Sequence, residues 1–237
     1  MDGRSLLVSD VDYTLLGDDA ATRRFAQWVE RNRQRVLVAY NSGRFVESVA
    51  QSIAETDLPM PDAIIGGVGT QIVFPGSNSL LDNWPGAKGW NATFIREALS
   101  QRPELTLQPE HLLSDHKVSF YGYDLPEGYV EDVTRELKEH GLSVKVVYSS
   151  QRDLDVLPAG TGKGLATVKL AEHYGINAKN VIVAGDSGND LAMFQQGFRG
   201  VVVANAHTEL KALRGKNIFH AKEAFAAGVL EGVQHWL

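Results

Sequence analysis

The sequence predicts an α/β protein: a doubly wound parallel sheet with a Rossmann-like core, interrupted by an inserted α+β cap domain. Three observations predict it. Short apolar runs alternate with stretches of helical periodicity from Ser5 to Gly67, and the same alternation returns from Gly162 to the end. Between residues 83 and 158 the pattern changes to more exposed, hairpin-like strands with two helices. The 237 residues, 43% hydrophobic and 22% charged, suffice for a folded core of one large or two small domains.

The run Ser5-Leu6-Leu7-Val8-Ser9 reads as a strand buried on both faces. Asp19 to Asn32 reads as a helix, with Phe25, Trp28 and Val29 on one face. Val36–Tyr40 is a second strand, Val46–Ala54 a helix and Ala63–Ile65 a third strand ending on Gly66-Gly67. Gln71 to Asn78 reads as a hairpin with Pro75 and Gly76 at its turn. After Asn83-Trp84-Pro85-Gly86 the expected insertion holds helices at 92–100 and 127–140, and strands at 117–121, 144–148 and 154–157. The alternation then resumes with a helix from Gly162 to Tyr174, strand Val181–Ala184, helix Leu191–Gln195 and strand Gly200–Ala204. Helix Glu209–Leu213, a strand near Ile218 and a closing helix from Lys222 complete the chain. The expected organisation is therefore core 1–82, cap 83–158 and core 159–237.

Composition excludes several classes. Without cysteine there is no disulfide frame and no thiolate zinc site. A formal charge of -6, with no Lys/Arg block, argues against a nucleic-acid surface. No apolar run reaches membrane-spanning length, and the opening Met1-Asp2-Gly3-Arg4 leads at once into a strand, so no cleaved signal is expected. A cytoplasmic monomer acting on a small molecule is the expectation.

In open parallel sheets ligands bind at the carboxyl ends of the strands. Strand one is followed by Asp10-Val11-Asp12-Tyr13-Thr14, strand two by Ser42-Gly43-Arg44, and Val181–Ala184 by Gly185-Asp186-Ser187-Gly188-Asn189-Asp190. Lys163 opens a helix just past the insertion. Taken singly, each reads as a helix cap, a turn or a solvated lysine. Together they bring four acids, a hydroxyl and a lysine to one sheet edge, and clustered carboxylates repel unless a cation holds them. Hard oxygen donors of this kind suit Mg2+. Gly160-Thr161-Gly162-Lys163 is not a Walker loop, since Leu157 and Gly164 stand where Gly and Ser/Thr are required. Gly66-Gly67-Val68-Gly69 leads into a hairpin and does not make a dinucleotide site.

In order, Asp10-x-Asp12-x-Thr14, Ser42-Gly43-Arg44, Lys163 and Gly185-Asp186-x-x-Asn189-Asp190 resemble the four motifs of the haloacid dehalogenase superfamily of phosphatases. An α+β insertion between the second and third motifs resembles the subclass with the larger cap. Within it, Leu37–Tyr40, Lys117–Tyr121 and Ser149–Pro158 are similar to bacterial sucrose-phosphate phosphatases. Tyr13 stands where such proteins commonly carry Gly or Asn, and Phe45 where Ser is common. The resemblance implies a magnesium-dependent sugar-phosphate phosphatase working through an aspartyl-phosphate. Asp10 would be the nucleophile and a metal ligand, and Asp12 the acid and base, binding the metal through its carbonyl. Asp186, Asn189 and Asp190 would complete the metal site, and Ser42, Gly43 and Lys163 would bind phosphate. From the residues alone Asp12 also reads as a second metal-binding carboxylate.

Alternation along Lys117-Val118-Ser119-Phe120 puts Lys117 and Ser119 on one polar face. With Ser149, Asp153 and Asp155 they are the expected sugar-binding residues of the cap. Tyr121, Tyr123, Trp84 and Trp90 are either ring-stacking surfaces or packing residues. The expected substrate is sucrose 6-phosphate. Mannosylfructose phosphate or another hexose phosphate is the alternative, and a receiver-like phospho-switch the non-enzymatic one.

Overall fold

The structure, a computed structural model, describes residues 3–76, 79–80, 84, 86 and 88–237. In chain order the first elements are β1 (Ser5–Ser9), α1 (Asp19–Asn32), β2 (Val36–Asn41), α2 (Val46–Glu55), β3 (Ala63–Gly66), β4 (Gln71–Phe74) and β5 (Ser79–Leu80). They are followed by α3 (Ala92–Leu99), β6 (Thr106–Leu107), β7 (Val118–Tyr121), α4 (Tyr129–Glu139), β8 (Val144–Ser149) and β9 (Asp153–Pro158). The last are α5 (Lys163–His173), β10 (Val181–Gly185), α6 (Leu191–Phe194), β11 (Arg199–Val202), α7 (Thr208–Lys211), β12 (Ile218–His220) and α8 (Phe225–Trp236).

The chain divides into two compact units, Met1–Leu81 with Lys163–Leu237, and Asp82–Gly162. The insertion runs four residues past the expected end at Pro158. Ala159 N donates to Ser143 O (3.0 Å) and Thr161 N to Pro158 O (3.1 Å), which ties this stretch to the strands before it. The expected boundary at 82/83, together with Ser77, Asn78, Asn83 and Pro85, lies outside the described residues.

The first unit is built on a sheet of order β12-β11-β10-β1-β2-β3-β4-β5. Its first six strands run parallel, and every residue of β1 and β10 is buried. That is why these strands read as continuous apolar runs. The sheet is not parallel throughout: β4 and β5 add antiparallel at the β3 edge. Only four residues, the 3-10 turn Gly67–Gly69 and Thr70, separate β3 from β4, too short for the crossover a parallel strand needs. Helix α1 buries Ala21, Phe25 and Val29, while Trp28 is half-buried, and Asp18 caps its first turn by accepting from Ala21 N at 3.0 Å. Helix α8 begins at Phe225, not Lys222, because the backbone is extended at Ala224 (φ -93°, ψ 161°); the Lys222 and Glu223 amides before it donate to the Glu231 carboxylate.

The second unit is an antiparallel sheet of order β6-β7-β9-β8. Val118 and Phe120, Leu154 and Val156, and Val144 share one face and pack with Ile95 and Leu99 of α3 and Val133 and Leu137 of α4. The pairings Ser119↔Asp155, Val147↔Asp155 and Ser149↔Asp153 put Lys117, Ser119, Ser149, Asp153 and Asp155 together on the opposite face.

Candidate active site

The chain leaves β1 toward β2 and β3 on one side and returns to β10, β11 and β12 on the other. The strand order therefore reverses between β1 and β10, where a doubly wound sheet opens a crevice at its carboxyl edge. Asp10 follows β1 and Asp186 follows β10, and Asp10 N donates to Ala184 O at 3.0 Å. This local pairing brings the first and fourth motifs side by side.

At the centre is Lys163, the first residue of α5, 1% exposed. Its Nζ lies 2.6 Å from Asp10 Oδ1 and 2.7 Å from Asp190 Oδ1. Helix α5 can come this close because residue 164 is glycine: a Cβ there would meet Ala192 O at 2.1 Å. Asn41, at the end of β2, donates through Nδ2 to Lys163 O (3.0 Å) and Thr167 Oγ1 (3.1 Å), fixing the first turn of α5. Gly185 has the matching role for Asp190, whose carboxylate atoms lie 2.6 Å from where a Cβ would sit. Asp190 Oδ2 accepts from Asp186 N (3.0 Å) and Ser187 N (3.2 Å), and Thr14 Oγ1 donates to Asp186 Oδ1 at 3.0 Å.

The carboxylates of Asp10, Asp186 and Asp190 converge within 4.8 Å of one another, all buried. Burial first, and then the neighbouring carboxylates, push Asp186 well above the usual range for an aspartate. Burial also raises Asp190, against the pull of Lys163. Burial alone would lower Lys163, but Asp10 and Asp190 outweigh it and keep the ammonium charged. One cation thus faces three acids. The remaining charge and the all-oxygen donor set fit a hard divalent ion such as magnesium.

Asp12, with its side chain 44% exposed, points elsewhere: its Oδ2 lies 2.8 Å from Arg44 Nε. Partial burial raises its pKa, and Arg44 opposes the rise. Ser42 is buried, and its Oγ accepts from Arg44 N at 3.1 Å, making the turn that presents Gly43. Asn189 Nδ2 lies 3.7 Å from where a Cβ on Gly43 would sit, and its Oδ1 accepts from Ser187 Oγ at 3.3 Å. Asp10, Asp12, Ser42, Gly43, Lys163, Asp186, Asn189 and Asp190 therefore all stand at this one edge. Tyr13, between the two aspartates, has φ +59°, the left-handed region that Gly and Asn enter most readily.

In the second unit Lys117 Nζ donates to Ser119 Oγ (2.6 Å), Ser119 Oγ donates to Asp155 Oδ1 (2.6 Å), and Lys117 pairs with Asp155 at 3.1 Å. Asp153 accepts from Gln108 Nε2 (2.9 Å) and pairs with Arg152, and Ser149 is buried beside it. Trp90 packs against the core of this unit and donates to Asp115 O at 2.5 Å. Tyr121 and Tyr123 stack on each other, with centroids 6.4 Å apart. Sequence reasoning gave no role to Arg44, Asn41, Gln108 or Lys145. Lys145 pairs with Leu157 on the polar face, and burial lowers its pKa. The alternation Val144-Lys145-Val146 carried a signal for it; the contacts of Arg44 and Asn41 are tertiary and left none.

A family model described as sucrose-6F-phosphate phosphohydrolase matches residues 3–237. Mannosylfructose-phosphate phosphatase of Agrobacterium fabrum is 34% identical over 238 residues, 98% of this chain and 96% of that one. Sucrose-phosphatase 1 of Nicotiana tabacum is 35% identical over 251 residues, 98% of this chain but 59% of the tobacco protein. The crystal structure of the sucrose-phosphatase from Synechocystis sp. PCC6803, in complex with sucrose and phosphate, superposes with a TM-score of 0.92 at 29% identity, covering 100% of this chain and 98% of that one. A haloacid dehalogenase-like hydrolase of Bacillus subtilis, at 20% identity, covers 99% of this chain and 92% of its own and shares the fold with a TM-score of 0.67. A receiver-like switch is set aside by these matches. The chain belongs to the sucrose-6F-phosphate phosphohydrolase family, phosphatases of the haloacid dehalogenase superfamily.

Proposed function

We propose that this enzyme hydrolyses sucrose 6-phosphate to sucrose and phosphate, using Asp10 as nucleophile and Asp12 as acid and base. The observation that carries the chemistry is the placing of Lys163 between Asp10 and Asp190, with Asp12 turned away to Arg44. Lys163 holds Asp10 Oδ1, which leaves Oδ2 to attack phosphorus. As the bond from phosphorus to Asp10 forms, the bond to the sugar oxygen breaks. Asp12 gives its proton to that oxygen, from Oδ1, since Arg44 occupies Oδ2. The Asp12 carboxylate then takes a proton from a water that attacks the aspartyl-phosphate, freeing phosphate and restoring Asp10. Splitting the reaction this way divides one very high barrier into two lower ones, and proton transfer of this kind contributes about 10²–10⁴-fold. The Ser42 hydroxyl, the Gly43 amide and Lys163 would bind the phosphoryl oxygens. Mg2+ held by Asp10, Asp186 and the Asp12 carbonyl, with Asp190 and Asn189 around that set, would offset the repulsion between nucleophile and phosphate.

The polar face of the cap sheet suits sugar hydroxyls, and we assign Lys117, Ser119, Ser149, Asp153 and Asp155 to it. A preference for sucrose 6-phosphate is supported by the family match and by the likeness to a sucrose-phosphatase solved with sucrose and phosphate. The Agrobacterium relative favours a second reading, mannosylfructose phosphate. Steady-state kinetics with magnesium on both disaccharide phosphates and on fructose 6-phosphate decides between them. The highest kcat/KM should fall on sucrose 6-phosphate, and equal values on all three would defeat the narrower assignment.

A further inference from the structure

The loop that carries Asp12 is held by a residue far along the chain. Asn205, three residues past β11, donates from Nδ2 to Tyr13 O at 2.6 Å, and its Oδ1 accepts from Phe225 N at 2.9 Å. The amide thus spans two backbone groups, both belonging to residues at positive φ: Tyr13 at +59° and Phe225 at +52°. Left-handed backbone is unfavourable for a ring-bearing residue and persists only where surroundings impose it. The Phe225 ring also packs on Gly17, where a Cβ would come within 2.4 Å of it, so the same segment grips the loop at its far end. Two residues beyond Asn205, His207 N donates to Asp186 O at 2.7 Å. The stretch 205–207 therefore ties the loop after β1 to the loop after β10.

We propose that Asn205 is a positioning residue for the reaction: its bond to the Tyr13 carbonyl holds Tyr13 in the left-handed conformation and with it the course of the loop that carries Asp12. This rests on the reading of Asp12 as general acid. Tyr13 follows Asp12 directly, and its escape from the left-handed region would redirect the loop and shift the backbone bearing the carboxylate that has to meet the leaving oxygen. Tyr13 by itself would leave the left-handed region, so the loop needs an outside donor, and Asn205 supplies it.

Asn205→Asp is the discriminating variant, because it keeps an oxygen for Phe225 N and removes the donor to Tyr13 O. Kinetics are measured on sucrose 6-phosphate, whose alkoxide needs a proton, and on p-nitrophenyl phosphate, whose leaving group does not. The readout is kcat/KM, which reports only up to departure of the leaving group, because the later water step needs Asp12 with either substrate. The expected result is a loss of about tenfold or more in kcat/KM on the sugar phosphate and under about threefold on the aryl phosphate. Adding Tyr13→Gly to Asn205→Asp should restore most of the lost kcat/KM, since glycine enters positive φ without the steric cost that tyrosine meets. Should Asn205→Asp not fold, Asn205→Ala with and without Tyr13→Gly gives the same comparison. Asp12→Ala, run alongside, should show the same selectivity against the sugar phosphate in kcat/KM. If Asp12→Ala is selective but the Asn205 variants lose nothing, lose both substrates equally or gain nothing from Tyr13→Gly, the positioning role is overturned. If Asp12→Ala lowers kcat/KM equally on both substrates, the general-acid reading fails and the inference falls with it.

Discussion

Replacing Lys163 by methionine keeps most of the stem volume and removes the one cation that, among the described residues, faces the three buried carboxylates. The magnitude follows from the geometry. Both ion pairs, at 2.6 and 2.7 Å, are buried, so no solvent screens the loss. Breaking a buried pair from one side costs about 3–5 kcal/mol. The cluster has an escape, however: taking up one proton restores its net charge. For a carboxyl of usual pKa near 4, that costs about 1.4 kcal/mol per pH unit, or about 4 kcal/mol at pH 7 and about 1.4 kcal/mol at pH 5. The lesser route wins, so the variant should be less stable than wild type by about 3–4 kcal/mol at pH 7 and about 1–1.5 kcal/mol at pH 5. The sign agrees with linkage. In the folded variant the carboxyls have raised pKa values and bind more protons than in the unfolded chain, so stability falls as pH rises between the two values. Urea unfolding of both proteins in chelator at pH 5, 6, 7 and 8 measures this. A difference in stability that does not change across that range would refute the reasoning, because it would mean the ammonium contributes packing alone.

Asp10→Asn should abolish phosphate release while the protein melts at or above the wild-type temperature in chelator, since a repelling charge is removed; turnover within a few-fold of wild type would exclude Asp10 as nucleophile. Burial and the neighbouring acids raise Asp186 and Asp190, so wild-type stability in chelator should decline from pH 5 to pH 8. Added magnesium should raise the melting temperature more at pH 8 than at pH 5, with calcium supporting stability but inhibiting turnover; thermal shifts equal at both pH values would show that the ion does not engage these carboxylates. In the cap, Lys117→Ala or Asp155→Ala should penalise a disaccharide phosphate more than p-nitrophenyl phosphate, and equal losses on the two would mark the pair as structural. Each single change also breaks the buried Lys117–Asp155 ion pair from one side, so the variants should melt lower, whereas Ser119→Ala should melt closer to wild type.

What the sequence discloses follows from how far each contact reaches. The acids after β1 and β10 could be placed together because parallel strands all deliver their carboxyl ends to one edge, and that rule needs no knowledge of side chains. Lys163 could be placed there too, since it opens the helix leading back into the sheet. The same rule says nothing of which loop partners which. Arg44 was visible as part of a turn, yet its ion pair with Asp12 depends on how two neighbouring loops lean. Asn41 looks like the last residue of a strand, and only the path of α5 shows that it holds the helix turn bearing Lys163. Asn205, in Ala204-Asn205-Ala206, has no composition signal at all; its function comes from reaching a carbonyl 192 residues earlier in the chain. The start of α8 misleads for a related reason: the apolar run gives no sign that the backbone stays extended through Ala224, with the amides of Lys222 and Glu223 held by a glutamate nine and eight residues onward. In the cap, strict alternation exposed Lys117 and Ser119, but it could not show that they spend their hydrogen bonds on Asp155. That network bears on mechanism. A lysine and an aspartate already paired through a serine form a pre-set array of donors and acceptors, and sugar hydroxyls can join it without first separating a solvated ion pair. An array held in place loses less freedom on binding than loose side chains do, so specificity at this face would derive from rigidity more than from the number of charges.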